Sequence, residues 1–145
     1  MSQHLRYRGY ITSRPFGGER VPQHVQNLVI RNYCKENNFE FLLSLTEVAM
    51  PGSYMLLENL LNQLGDIDGI VFYSMFLLPP EKENRVRIYD KTIDNGKSIH
   101  FAVEGLGISN LADTTRLENI LAVKELMPKA LDATALREIV PYPCI

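Results

Sequence analysis

Hydrophobic and polar residues alternate along this chain in two different rhythms, and the rhythms take turns. Residues 7–12 are short, aromatic and β-branched, which predicts a first strand. Pro22 suits the first turn of a helix, where a missing N–H costs nothing. Val25, Leu28, Val29 and Tyr33 then recur at helical spacing, and Asn37-Asn38 ends that helix. Residues 39–45 are an apolar run of strand length. Pro51-Gly52 breaks the chain, Ser53 is placed to cap a second helix, and Tyr54, Leu57, Leu60, Leu61 and Leu64 form its inward face. Residues 69–78 are almost continuously apolar, as expected of a central strand covered on both faces, until Pro79-Pro80 stops them. A more polar helix follows over 81–94, with Val86, Tyr89 and Ile93 inward and Asn95-Gly96 as its stop. Residues 98–103 predict a fourth strand and 104–110 a loop. Asp113 is placed to cap a last long helix carrying Leu117, Ile120, Leu121 and Leu126 at helical spacing. Residues 132–140 suit a further short helix, and the tail 141–145 reads as extended.

Strand–helix alternation of this kind predicts an α/β fold, three layers α/β/α around a mainly parallel four-stranded sheet, flavodoxin-like or resolvase-like in order. The chain of 145 residues reads as a single domain. A domain of that size buries roughly 68–70% of the surface its unfolded chain exposes, enough to stand without a metal or disulfide. The two cysteines, Cys34 and Cys144, lack the spacing of a zinc or redox motif, which fits a reducing cytoplasm. The opening residues have no apolar run of a signal peptide, and no apolar stretch is long enough for a membrane helix.

Charge changes the picture at one end. Residues 1–35 hold six basic side chains and one acid, while the remainder holds nine basic and sixteen acidic, for a net charge of −2. A local positive focus on an acidic body suits a small anionic ligand better than a nucleic acid, which calls for a basic face across the domain. The nearly uniform apolar strands leave open a homodimer built on an exposed helix.

Ligands of open parallel sheets bind beyond the carboxyl ends of the strands, near the point where strand order switches. That rule selects the loops 13–21, 46–53, 74–80 and 104–110. The first of them, Ser13-Arg14-Pro15-Phe16-Gly17-Gly18-Glu19-Arg20-Val21, leads from a strand into a helix start, an arrangement that suits an anion. It matches neither the dinucleotide nor the P-loop fingerprint, so no bound cofactor is expected. Arg14 and Arg20 offer planar forks for phosphate or carboxylate, and Ser13, Gln23, Ser53, Ser74 and Glu104 are candidate lining groups. His24 is a candidate acid/base at the helix start, with Glu47 to orient it or act itself. Each has a plainer alternative: the arginines solubilise a turn or pair with Glu19 or Glu47, and His24 packs or caps. His100, inside a strand, reads as a structural histidine. No His, Cys, Asp or Glu pair has metal-ligand spacing.

The stretch Arg8-Gly-Tyr-Ile-Thr-Ser-Arg-Pro-Phe with Arg20-Val-Pro-Gln-His-Val-Gln-Asn-Leu-Val-Ile-Arg31-Asn-Tyr-Cys34 resembles the opening of the sporadic carbohydrate cluster protein family. Leu43-Ser-Leu-Thr-Glu47, Met50-Pro-Gly-Ser-Tyr54 and Asp68-Gly-Ile-Val-Phe-Tyr-Ser74 resemble its later blocks. The resemblance implies a place in bacterial surface-polysaccharide biosynthesis and carries over no activity. Joined to the anion-suited loop, it leads to the expectation of a small cytoplasmic enzyme, or enzyme partner, that handles an anionic sugar or nucleotide-sugar; a metabolite-sensing or enzyme-docking module is the alternative. More distantly, the order of elements is similar to the catalytic domain of serine recombinases, with 9–13 matching the first strand and 69–78 the third. In that family's Tyr-x-Arg-x-Ser pattern, Thr12 takes the arginine position, Arg14 takes the serine position, and Ser13 falls one residue early. The arginines expected after the third strand are missing from 75–80. This resemblance implies a related sheet topology without strand exchange, and makes action on DNA the weakest of the three functional expectations.

Overall fold

A computed structural model describes residues 5–13, 20–47 and 54–130. The chain groups into two compact units, Met1–Asn110 and Leu111–Ile145. The first unit holds five strands, β1 (Leu5–Thr12), β2 (Phe39–Glu47), β3 (Gly69–Phe72), β4 (Ser98–Phe101) and β5 (Leu106–Ile108), in the order β2-β1-β3-β4-β5. The first four strands run parallel, and β5 returns antiparallel to β4. The sheet therefore has five strands rather than four, because three residues of the expected loop pair with β4.

Helix α1 (Gln23–Glu36) joins β1 to β2, α2 (Met55–Asn62) precedes β3, and α3 (Lys82–Asp94) joins β3 to β4. Short 3-10 turns fill Leu64–Asp66 and Met75–Leu77. Asn38 (φ 59°) and Gly96 (φ 71°) end α1 and α3 in the left-handed region, where Asn and Gly are tolerated best. On one face of the sheet α1 buries Ile30 and Cys34 against Tyr7, Ile11 and Val71. The opposite face presents Tyr10, Phe72 and Phe101, whose rings stand 4.9 and 5.4 Å apart in sequence, toward the side where α2 is tied down.

Three expectations about facing need correction. The buried stripe of α1 is Gln26, Ile30 and Cys34, while Leu28 is 62% exposed. In α3 the inward residues are Ile88, Tyr89 and Thr92, and Val86 turns out. The apolar run 69–78 is a strand only to Phe72. Beyond it Met75, Leu77 and Leu78 are buried in a 3-10 turn and its exit, because Ser74 accepts from Phe76 N and folds the chain over.

The β1–β2 ladder contains a bulge. Arg8 pairs with Leu42 but Tyr10 pairs with Leu45, so β2 carries one extra residue. Gly9 lies opposite it, and a Cβ there would overlap the Ser44 hydroxyl. Side chains alternate faces along a strand, so one extra residue swaps the faces of all that follows. Phe39 and Phe41 pack with the α1 cluster, whereas Glu47, of the same parity, reaches Tyr10 on the other face.

The second unit carries α4 (Leu111–Ala130), which begins two residues before Asp113. Thr114 and Thr115 hydroxyls donate to the Leu111 carbonyl in its first turn. The helix expected over 132–140 and the tail 141–145 lie outside the described residues.

Candidate functional site

The carboxyl ends of β1, β2, β3 and β4 share one edge of the sheet, and strand order switches between β1 and β3 there. Gln26 builds the floor of the β1 exit. It is fully buried, its amide donates to the Thr12 and Val21 carbonyls (2.8 and 2.9 Å), and its carbonyl accepts from Thr12 N at 3.1 Å. Sequence reasoning passed over Gln26; a glutamine on the inward stripe of a helix was the available signal.

Ser13 follows β1 directly. Its backbone N–H and hydroxyl both donate to the Glu47 carbonyl, each at 3.2 Å. Arg20, Gln23 and His24 are exposed at the start of α1. That start differs from an ordinary one: Pro22 at the N-cap supplies no side-chain acceptor, and the first turn holds no acid. The amides of Val25 and Gln26 turn back to the Pro22 carbonyl, and those of Gln23 and His24 come before any acceptor within the helix. Arg14 and Ser53 lie outside the described residues.

The two carboxyl groups are placed as supports. Glu47 is fully buried, and its Oε2 accepts from the Tyr10 hydroxyl (2.7 Å) and from Leu57 N (3.2 Å) in the first turn of α2. Glu104 accepts from the Ser74 hydroxyl at 2.8 Å and from Met75 N at 3.0 Å, so it clamps the turn after β3. The edge thus brings Ser13 together with Glu47, and Ser74 with Glu104, while His24 sits out on the α1 tip.

A second polar cluster lies on the α1 face. Tyr33 hydroxyl meets His100 Nδ1 at 2.7 Å, His100 Nε2 meets the Ser98 hydroxyl at 3.1 Å, and that hydroxyl bonds the Tyr7 hydroxyl. Tyr7 and Phe39 rings stack at 4.1 Å, and both present edges or faces to the imidazole. Burial pushes the His100 pKa down to about 4 and the Cys34 thiol up to about 11. It raises the Tyr7 and Tyr33 hydroxyls as well, so both keep their protons at neutral pH. His100 is thus a neutral, hydrogen-bonded structural histidine. Among the described residues no three His, Cys, Asp or Glu side chains gather to hold a metal ion, and no helix is long and apolar enough to cross a membrane.

Comparison with known proteins returns a fold. The chain is similar to the N-terminal catalytic domain of TP901-1 integrase, known from a crystal structure, with a TM-score of 0.59 and 14% identity. The match covers 86% of this chain and 99% of that one. The resolvase-like sheet expected from the order of elements is therefore present. No family model matches the chain, and no curated protein does. The carbohydrate-cluster resemblance has no counterpart in these comparisons.

Proposed function

We propose that the chain binds a small anion, an anionic sugar or nucleotide-sugar of surface-polysaccharide synthesis, at the edge where β1 and β3 diverge. One observation carries the reading: the start of α1 has no acid of its own and no capping side chain, and Arg20, Gln23 and His24 stand exposed around it. A helix start of that kind attracts negative charge. The charge pattern of the chain supports the same reading, since the basic residues are concentrated before residue 36. In this reading Arg20 and the α1 amides hold the anion, Ser13 lines the site, and His24 is the group available to move a proton if the ligand is converted. Glu47 acts through Ser13, whose position its carbonyl sets.

The test is calorimetry with a panel of nucleotide-sugars and sugar phosphates, followed by mass spectrometry for turnover. Saturable binding that weakens in Arg20→Ala, with conversion lost in His24→Ala, is the expected result. Binding without conversion identifies a sensing or docking module. Absence of binding across the panel overturns the reading.

A second reading has one observation in its favour, the likeness in fold to an integrase catalytic domain. In that reading the chain acts on DNA with Ser13 near the reacting phosphate. The turn after β3, Ser74-Met75-Phe76-Leu77-Leu78, carries no arginine to stabilise a phosphodiester under attack, and Glu104 lies against it instead. DNA retention that falls steeply with salt would favour this reading over the first.

A further inference from the structure

Helices α2 and α3 leave between them a cavity of about 230 Å³. Its lining divides into two chemistries. Leu57, Ile88 and Pro79 are buried and make an apolar floor. Arg85 fixes the chain there, since its guanidinium donates to the Pro79 and Pro80 carbonyls at 3.1 and 2.7 Å. Glu58 on α2 and Arg87 on α3 pair across the cavity, Asn84 lines it with its amide donating to Glu81, and Tyr54 adds an aromatic ring.

The paired charges cancel, so the cavity selects no net charge. It offers a carboxyl acceptor directly beside a guanidinium donor, above an aliphatic surface. The matching ligand is a planar, uncharged ring with adjacent donor and acceptor groups on one edge. Guanine has that edge: N1–H and N2–H donate beside the O6 acceptor, and arginine is the commonest side-chain partner of guanine O6. Its ring face suits the aliphatic floor and the Tyr54 ring. The volume lies below the roughly 300–1,000 Å³ of sites for drug-sized ligands, which limits the occupant to about one ring system. Adenine presents the reverse edge and would set its amino group against the guanidinium. Glu58 and Arg87 side chains are 42% and 59% exposed, and a pair that open to water is held weakly enough to exchange partners.

We propose that the cavity between α2 and α3 is a nucleobase site that takes guanine, with Glu58 accepting from N1–H and N2–H and Arg87 donating to O6. The proposal goes beyond the anion reading and does not depend on it, because a nucleoside carries no phosphate.

The test is calorimetric titration of the full chain with guanosine, adenosine and glucose. Guanosine should bind saturably and adenosine about tenfold more weakly, the scale of one bidentate base contact. Glu58→Gln and Arg87→Met should each weaken guanosine by about tenfold. Lys91→Ala, which removes an exposed contact to Asn62 outside the cavity, should leave it unchanged. Thermal melting of each variant checks that the fold is kept. Arg20→Ala should not alter guanosine binding, whatever it does to sugar phosphates. Equal affinity for the two nucleosides, no guanosine binding by the parent chain, or unchanged affinity in folded Glu58→Gln and Arg87→Met overturns the proposal.

Discussion

Two kinds of helix start meet at one edge of this sheet. At α2 and at the turn after β3 the protein supplies its own negative group: Glu47 takes Leu57 N and Glu104 takes Met75 N. At α1 the N-cap is a proline and the first turn has no acid. The first kind is closed by the fold, and the second is left to face solvent or a ligand. Carboxyl groups at strand ends attract attention as acids and bases, yet here both hold loops in place.

Removing Glu47 is the strongest way to break that contrast. Glu47→Ala removes the buried acceptor shared by the Tyr10 hydroxyl and Leu57 N, and the loss should be about 3 kcal/mol of stability, read by urea unfolding. A loss under about 1 kcal/mol would mean that Glu47 is not a structural cap.

A pH scan separates interior from edge by a different route. His100 titrates near 6.5 in the unfolded chain and at about 4 in the folded one. Between those values the unfolded state binds more protons, so stability falls as pH drops from about 6.5 toward 4. Discounted for the partial exposure of the ring, the loss should be about 2 kcal/mol. His100→Gln should flatten that part of the profile, and an unchanged slope would remove His100 from the account.

Glu104→Gln should cost about 1–2 kcal/mol, since the amide keeps one acceptor for Ser74 or Met75 N. The smallest effect is expected at the open start. Arg20→Ala should leave the melting temperature unchanged and weaken sugar-phosphate binding by about fivefold, near 1 kcal/mol. Competition calorimetry would show this. A clear drop in melting temperature for Arg20→Ala would place that arginine among the structural caps instead.

Much of the fold was legible because periodicity reports burial. β1, α1, β2, α2, α3 and β4 fall where the alternation put them, apart from their ends. The failures have physical causes. An apolar run records that residues are buried but not their backbone path, so 73–78 read as strand although Ser74 turns the chain. The three residues of β5 are too short to show a rhythm. Glu47 could not be placed from its spacing, because the bulge at Leu42–Leu45 reverses its face. That the carboxyl ends of the parallel strands share one edge was legible from strand–helix alternation alone. The division of labour among the loops there was not, since it depends on which carboxyl finds which amide.

The same bulge bears on self-association. β2 lies at the border of the sheet, and a long straight border strand is a template on which a second chain can pair. The extra residue puts the N–H groups on its two sides out of step, and the Arg8 guanidinium already occupies the Leu43 carbonyl at 2.9 Å. An extended segment laid along β2 can therefore match only one half of it at a time. The irregularity that carries Glu47 to the other face also makes this border a poorer template for a second chain.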